Sequence, residues 1–184
     1  HTYTKYAVQI RDASCIRYEM EKAVAIANNG RSGPVWIDIP LDIQAAQVEP
    51  AELEGFNESF LEPDISSLEI ESTIEHFNIA KRPILILGHG IRLSHSIDIA
   101  RKLYNLLGIP VLTSWNGVDL IEDEHELYFG RPGGVGQRAA NFIQQKSDFV
   151  LTLGTRLNLL STGYNFAGFF SNAYHVMVDI DETE

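Results

Sequence analysis

The chain has 184 residues, of which 45% are hydrophobic and 21% are charged, a composition typical of soluble globular proteins. Its formal net charge of −11 argues against nucleic acid as a partner, because phosphate binding requires a cationic surface. No apolar run is long enough to cross a bilayer and no signal peptide is visible, so we expect no membrane partner.

The only cysteine, Cys15, has no partner for an internal disulfide, which favours a reducing compartment. We therefore expect a cytoplasmic protein. Cys15 falls on the apolar side of a predicted helix, and free cysteines are usually buried. The position favours a packed thiol over a nucleophile.

Residues 1–44 are predicted to form a strand, a helix and a second strand. Apolar residues alternate over residues 3–10, and a helix follows Asp12, which can cap it, and ends before Gly30. The β-branched run 35–40 predicts a buried strand. Three elements are too few for a domain, and the chain begins without methionine, so we expect a fragment that starts with the C-terminal end of another α/β domain.

Residues 45–66 are predicted to be an acidic, solvated linker. Regular periodicity fades there, and Pro50 and Pro63 interrupt any helix or strand. Six acidic residues lie in the segment: Glu49, Glu52, Glu54, Glu58, Glu62 and Asp64. We expect Phe56, Phe60 and Leu61 to pin it to a neighbouring surface.

Residues 67–184 alternate helical and strand patterns. The predicted helices cover 67–80, 94–107 (capped by Ser94), 137–146 and 169–173, and the predicted strands cover 84–87, 110–115, 148–154 and 174–181. An acidic loop is expected over 116–128. Alternating helices and strands indicate right-handed βαβ units and an α/β fold with a parallel sheet covered on both faces.

A cluster of glycines precedes the third of these helices. Gly130, Gly133, Gly134 and Gly136 stand close to Arg131 in a segment that opens a helix near residue 137. Glycine amides, a helix N-terminus and a guanidinium group together suit a pyrophosphate. The alternative is a tight turn that needs positive φ angles, and glycine density alone does not exclude it.

Ligands of open parallel sheets bind beyond the carboxyl ends of the strands. In this chain those ends carry four polar or glycine-rich triplets: residues 88–90, 113–115, 154–156 and 179–181. A carboxylate such as Asp179 can accept hydrogen bonds from ribose hydroxyls, although a salt bridge or a helix cap explains it equally well. The pattern predicts a nucleotide-like ligand at this edge.

The sequence predicts no catalytic residue and no metal ligand within the chain. The six histidines do not pair at metal-ligand spacing, and the run Asp123–Glu126 lacks the second histidine of a zinc motif. There is also no nucleophile elbow and no Walker loop.

The segment RSGPVWIDIPLDIQ resembles the end of the pyrimidine-binding domain of thiamine diphosphate enzymes. RPILILGHG, IPVLTSWNG, YFGRPGGVGQRAAN, LGTRLNLLSTG and HVMVDIDETE follow in the order of that family's central domain. The chain is most similar to the subgroup of acetolactate synthase, pyruvate oxidase and benzoylformate decarboxylase. The resemblance implies three parts: the end of the pyrimidine domain in 1–44, a linker in 45–66 and a Rossmann-like central domain in 67–184.

In acetolactate synthase and pyruvate oxidase the central domain holds FAD. The resemblance places the flavin-binding positions at Gly88, Gly90, Thr113, Ser114, Gly130, Arg131, Pro132, Gly133, Gly154, Thr155, Arg156, Asp179 and Ile180. Arg131-Pro132 replaces the family's usual Met-His, and Asn158 and Leu160 replace charged residues. Flavin-free decarboxylases share the fold, so FAD remains open.

The resemblance places the chemistry in segments outside this chain. The activating glutamate would precede His1, and the motif that holds thiamine diphosphate and Mg²⁺ would follow Glu184, so this chain alone is expected to be inactive. The intact enzyme would act on pyruvate or another 2-oxo acid as a homodimer or homotetramer. The alternatives are a flavin-free 2-oxo acid decarboxylase or C–C lyase, and a nucleotide-binding regulatory module without catalysis.

Overall fold

A computed structural model of the chain describes residues 3–57, 60 and 66–181. The chain divides into two compact units, residues 1–63 and residues 64–184. Leu61 and several linker residues named above lie outside the described residues. The two units are described separately.

The first unit contains β1 (Tyr6–Gln9), α1 (Ile16–Asn28), β2 (Val35–Asp38) and α2 (Leu41–Ala45). β1 and β2 pair in parallel, and α1 packs against both strands. The expected burial of the second strand is wrong, because Trp36 is 64% exposed. Because alternate side chains of a strand point to opposite faces, α1, which contacts β1 and β2, can cover only one face of this pair of strands.

The start of α1 corrects the prediction for Cys15. Asp12 is a cap as expected, since its side chain accepts a hydrogen bond from the Ser14 amide. It caps a 3₁₀ turn, Ala13–Cys15, that precedes α1. Cys15 therefore lies before the helix and is exposed, so the packed thiol is not found.

The segment after α2 is held against the first unit by an aromatic contact. The ring of Phe56 meets the Tyr18 ring edge-on at 5.6 Å and lies 6.4 Å from the Phe60 ring. The Phe56 amide also donates to the Glu21 carboxylate at 2.8 Å. Phe56 thus pins the segment, as its apolar character predicts.

The second unit carries a four-stranded parallel sheet. Its strands are β3 (Pro83–Leu87), β4 (Val111–Thr113), β5 (Phe149–Leu153) and β6 (Tyr174–Val178), in the spatial order β4-β3-β5-β6. Its helices are α3 (Ser67–Ile79), α4 (Gly90–Leu93), α5 (Ile97–Leu107), α6 (Arg138–Lys146) and α7 (Leu159–Thr162). The predicted α/β fold with a Rossmann-like parallel sheet is confirmed.

Both faces of the sheet are covered. Leu85 and Leu87 of β3 pack with Ala100 and Tyr104 of α5 on one face. Ile84 and Ile86 of the same strand pack with residues of α6 on the other face. Since β3 is apolar at every position, a central strand follows directly from its sequence.

Three connections differ from the predictions. Ser94 does not cap the helix ending at Leu107; it ends the short helix α4, and its hydroxyl donates to the Ile91 carbonyl. The helical piece expected over 169–173 is replaced by a 3₁₀ turn at Phe166–Gly168, because the Asn165 side chain caps that turn. The segment 116–128 also has more structure than a solvated loop, since it includes most of the 3₁₀ turn Trp115–Leu120 and buries Ile121.

Candidate functional site

The candidate site is the edge of the sheet at the carboxyl ends of its strands. From β3 the chain passes to β4 on one side, and later to β5 on the other side of β3. The order therefore reverses between β3 and β5, and such a switch point is where open α/β sheets bind ligands.

Backbone hydrogen bonds join the four strand ends along this edge. The Ser114 amide donates to the Leu87 carbonyl at 2.9 Å, and the Gly88 amide donates to the Leu153 carbonyl at 2.8 Å. The Gly154 amide donates to the Val178 carbonyl at 2.8 Å. The turns that are separated in sequence therefore lie side by side; we call this edge, with residues 88–90, 113–115, 154–156 and 179–181, the rim.

Two glycine turns fill the switch point itself. A Cβ on Gly88 would lie 2.2 Å from the Gly154 carbonyl oxygen, and one on Gly90 would lie 2.7 Å from the Gly154 Cα. The Gly90 amide also donates to the Gly154 carbonyl at 2.8 Å. These glycines are required because the two turns touch through their backbones.

The glycine loop, residues 130–136, lies beside β4, where the Thr113 amide donates to the Gly130 carbonyl at 3.1 Å. Gly130 and Gly133 have φ angles of 97° and 117°, which side-chain-bearing residues rarely adopt. The tight turn with positive φ angles is therefore present. Pro132 is buried within it.

The amides of the glycine loop donate within the protein. The Arg131 amide donates to Gln137 Oε1, and the Gly133 amide donates to Asn141 Oδ1 at 2.8 Å. The Gly134 amide reaches the Leu160 carbonyl, and the Gly136 amide reaches the Gly133 carbonyl, each at 3.0 Å. These four N–H groups stabilise the loop's own conformation, so they do not form a free cradle for phosphate.

Side chains at the rim remain available to a ligand. Thr155 is only 3% exposed, yet neither its hydroxyl nor that of Ser114 has a hydrogen-bond partner among the described residues. The Arg131 guanidinium lies 5.3 Å from the Trp115 ring centre. Asp179 uses one carboxylate oxygen to accept the Asp181 amide at 3.1 Å.

These groups fit a nucleotide by their chemistry. Hydroxyl and guanidinium groups bind phosphate, and a carboxylate accepts ribose hydroxyls. Ile180, which is 53% exposed, adds an apolar surface beside Asp179. Thr113 faces inward instead: it is buried, and its hydroxyl lies 3.1 Å from the Tyr128 hydroxyl.

Two residues that hold the glycine loop were not among the predicted site residues. Gln137 and Asn141 accept hydrogen bonds from loop amides, and Asn141 Nδ2 also donates to the Gly133 carbonyl at 3.0 Å. The sequence does contain a signal for them: amide side chains at and just after the start of a helix can hydrogen-bond to the preceding loop. The partner amides are not visible in the sequence.

A second pair of contacts ties the turn after β3 to the turn after β4. His89 Nδ1 lies 3.1 Å from the Asn116 carbonyl oxygen. Arg92 donates to the Asp119 carboxylate, and this hydrogen bond lowers the pKa of Asp119. Both contacts stiffen this side of the rim.

Within residues 3–57, 60 and 66–181, no cluster of three or more histidine, cysteine, aspartate and glutamate side chains is suited to a metal ion. In the same part of the chain, no helix has the length and apolar character needed to cross a membrane.

Comparison with known proteins identifies the fold. Residues 70–184 match the family model of the thiamine pyrophosphate enzyme central domain. The chain is 32% identical to the acetolactate synthase large subunit of Lactococcus lactis subsp. lactis (strain IL1403), over 98% of this chain and 32% of that protein. It is 33% identical to the isozyme 1 large subunit of acetolactate synthase from Escherichia coli K12, with the same two coverages.

Glyoxylate carboligase from Escherichia coli O157:H7 is also similar, at 29% identity over 98% of this chain and 30% of that protein. The chain thus spans about a third of the length of the curated relatives it matches. Both the family model and these relatives agree with the resemblance in the sequence. The chain therefore belongs to the thiamine pyrophosphate enzyme family, and it is similar to acetolactate synthases along nearly its whole length.

Proposed function

We propose that the chain is the middle part of a thiamine diphosphate-dependent carboligase of the acetolactate synthase type. The observation that carries the proposal is the similarity to acetolactate synthase large subunits over 98% of the chain, on a fold whose strand ends meet at one rim. The substrate would be pyruvate or another small 2-oxo acid.

In this proposal the three parts of the chain have separate roles. Residues 1–44 form the end of a pyrimidine-binding domain, residues 45–66 form an acidic linker, and residues 67–184 form the central domain. The residues that activate thiamine diphosphate and the ligands of its Mg²⁺ belong to segments outside this chain. Bound thiamine diphosphate supplies an electron sink for the carbon that loses CO₂.

The rim is proposed to hold the nucleotide end of FAD. Ser114, Thr155 and Arg131 would face the phosphates, and Asp179 would accept the ribose hydroxyls. Thr155 supports this assignment, because a hydroxyl on a residue only 3% exposed has no protein partner in the part of the chain that the structure describes.

One observation favours a second candidate, a flavin-free 2-oxo acid decarboxylase or C–C lyase of the same family. The amides of residues 131, 133, 134 and 136 donate to protein acceptors, so the glycine loop contributes few N–H groups to a pyrophosphate. In that case the rim would be a structural edge without FAD.

Product analysis tests the reaction. The full-length protein is incubated with pyruvate, thiamine diphosphate and Mg²⁺, and the products are separated and identified. Acetolactate supports the carboligase, whereas acetaldehyde with CO₂ supports the decarboxylase. Failure to consume any of a panel of 2-oxo acids would contradict both.

Calorimetric titration of the full-length protein with FAD tests the rim. We expect saturable binding that Arg131→Ala weakens about tenfold, since a charge-assisted hydrogen bond contributes about 1.5–3 kcal/mol. Arg138→Ala is the matched control, because the Arg138 guanidinium lies 5.3 Å from the Phe142 ring centre and not at the rim. If the protein does not bind FAD, the flavin-free alternative holds.

The intact protein is also proposed to be a cytoplasmic homodimer or homotetramer. The single cysteine agrees with a reducing compartment. The acidic composition argues against a nucleic-acid partner. Light scattering of the full-length protein measures its subunit number directly.

A further inference from the structure

A small polar cleft lies between α5 and the segment that follows β4, apart from the rim. Its volume is about 150 Å³. The residues that line it are Arg101, Tyr104, Asn105, Asp119, Leu120, Ile121, Glu122 and His125. None of these is a rim residue, and Asp119 is the one that also pairs with Arg92 beside the rim.

Tyr104 connects the cleft to the core. It is 3% exposed, its ring packs in the apolar cluster of β3 and α5, and it meets the His125 ring edge-on at 5.2 Å. Its hydroxyl makes no hydrogen bond to any other described residue. A hydroxyl without a protein partner on a core residue is left to bond with solvent or with a ligand.

The Tyr104 hydroxyl is not sealed inside the core. Among the described residues, Gln144 Oε1 is the one fully enclosed side-chain polar atom without a hydrogen bond. The oxygen of Tyr104 is therefore not enclosed. Tyr104 lines the cleft, so the cleft is the opening from which a ligand would reach this oxygen.

The charged lining groups are the Asp119 and Glu122 carboxylates and the Arg101 guanidinium. Both nearby guanidinium groups are already paired, Arg101 with Asp98 at 3.1 Å and Arg92 with Asp119. Glu122 forms no ion pair with the described residues. Asn105 donates through Nδ2 to the Arg101 carbonyl, which leaves its side-chain oxygen as an acceptor.

The surrounding sequence strengthens this charge. Asp123, Glu124 and Glu126 follow Glu122 within four positions, and all three are exposed. Such a run raises the local concentration of cations near the cleft. His125 Nδ1 accepts the Leu127 amide hydrogen at 3.2 Å.

We propose that this cleft binds a small primary amine in its ammonium form. The Glu122 carboxylate pairs with the ammonium group, and the Tyr104 hydroxyl and the Asn105 side-chain oxygen accept its remaining hydrogens. An ammonium group has three donors, which matches this set of three acceptors. A volume of about 150 Å³ admits an alkyl part of a few carbon atoms.

Ligand-observed saturation-transfer NMR on the full-length protein tests the proposal, with ethylammonium as the probe and ethanol as a neutral analogue of similar size. We expect ethylammonium to bind with a dissociation constant on the order of millimolar, as its few atoms allow, and ethanol to bind at least about tenfold more weakly. Glu122→Gln should weaken ethylammonium about tenfold, and Tyr104→Phe about threefold, through loss of one acceptor each.

Glu124→Gln is the control, because it removes a neighbouring charge that does not line the cleft. It should change the dissociation constant less than about twofold, as surface charges usually do. Equal weakening by Glu124→Gln and Glu122→Gln, or equal binding of ethanol and ethylammonium, would overturn the proposal. Glu122→Gln remains informative if Tyr104→Phe lowers the melting temperature, because Glu122 is exposed.

Discussion

Gly88 lies at the end of β3, in contact with the backbone of the turn after β5. A Cβ at this position would come within 2.2 Å of the Gly154 carbonyl oxygen and 2.5 Å of the Thr155 Cα. Both neighbours are backbone atoms held by the sheet, so they cannot move aside without breaking strand pairing. Glycine is therefore required at this position by the contact between the two strand ends, whether or not a ligand binds there.

Gly88→Ala should destabilise the protein by about 2–4 kcal/mol through this overlap. Gly134→Ala is the matched control, since its Cβ would meet nothing within 4 Å, and it should change stability by less than about 0.5 kcal/mol. Denaturant unfolding of both variants measures the difference. Equal stability of the two would show that the turns at β3 and β5 do not touch as described.

His175 is a half-buried residue whose stability contribution depends on pH. Its Nε2 lies 3.0 Å from the Thr152 hydroxyl, and burial lowers the pKa of its imidazole. The unfolded chain keeps the ordinary pKa of about 6.5. Between these two pKa values the unfolded state binds more protons, so stability falls as the pH drops below about 6.5 and is constant above it.

His175→Gln should remove this pH dependence, because glutamine does not titrate. The free energy of unfolding, measured between pH 7.5 and pH 5, should fall less in the variant than in the natural protein. His95→Gln, at an exposed position, is the control variant. A slope that His175→Gln leaves unchanged would assign the acid sensitivity to other groups.

At the scale of elements, the helix after the glycine loop is anchored by its own side chains. Asn141 of α6 holds both the amide and the carbonyl of Gly133, at 2.8 Å and 3.0 Å. This pair of bonds fixes a residue with a φ of 117°. The loop and the helix are therefore one structural piece.

Asn141→Ala should cost about 2 kcal/mol of stability, because it leaves two partly buried backbone groups without partners. Gln145→Ala, on the same helix and exposed, should cost less than about 0.5 kcal/mol. Thermal unfolding of the two variants measures both effects. Similar melting temperatures would mean that the loop keeps its shape without Asn141.

The elements that could be predicted from the sequence share strong local signals. β3 and β5 are apolar runs, and the end of α5 is marked by Gly108, which has a φ of 61°. Their bounds in the structure lie within two residues of the prediction. The predicted helix start at Ser94 was wrong because a serine before a helix can also be the last residue of the preceding turn, as Ser94 is for α4.

The position of the rim could be predicted from the topology of the sheet. Whether the amides of the neighbouring glycine loop are free to bind a ligand could not be predicted. Parallel strands place their carboxyl ends together, so residues 88, 114, 154 and 179 were expected at one edge. Which N–H groups remain free depends on distant partners such as Leu160 and Asn141. Sequence spacing does not contain these contacts, and the exposure of Cys15 likewise depends on where α1 begins.

At the scale of the whole molecule, the proposed function assigns the chain a middle part of an enzyme and not a complete active site. The described residues contain no metal cluster, and the chain covers about a third of each relative. In this proposal the rim holds a nucleotide. In the proposed function, the chemistry depends on groups outside residues 1–184.

The most direct test of membership in a working thiamine diphosphate enzyme is CO₂ release by the full-length protein. It is measured with pyruvate and Mg²⁺, with and without added thiamine diphosphate, after the protein has been freed of bound cofactor. We predict CO₂ release that requires thiamine diphosphate and saturates with it. No release from pyruvate or from other 2-oxo acids at saturating thiamine diphosphate would contradict the proposed function.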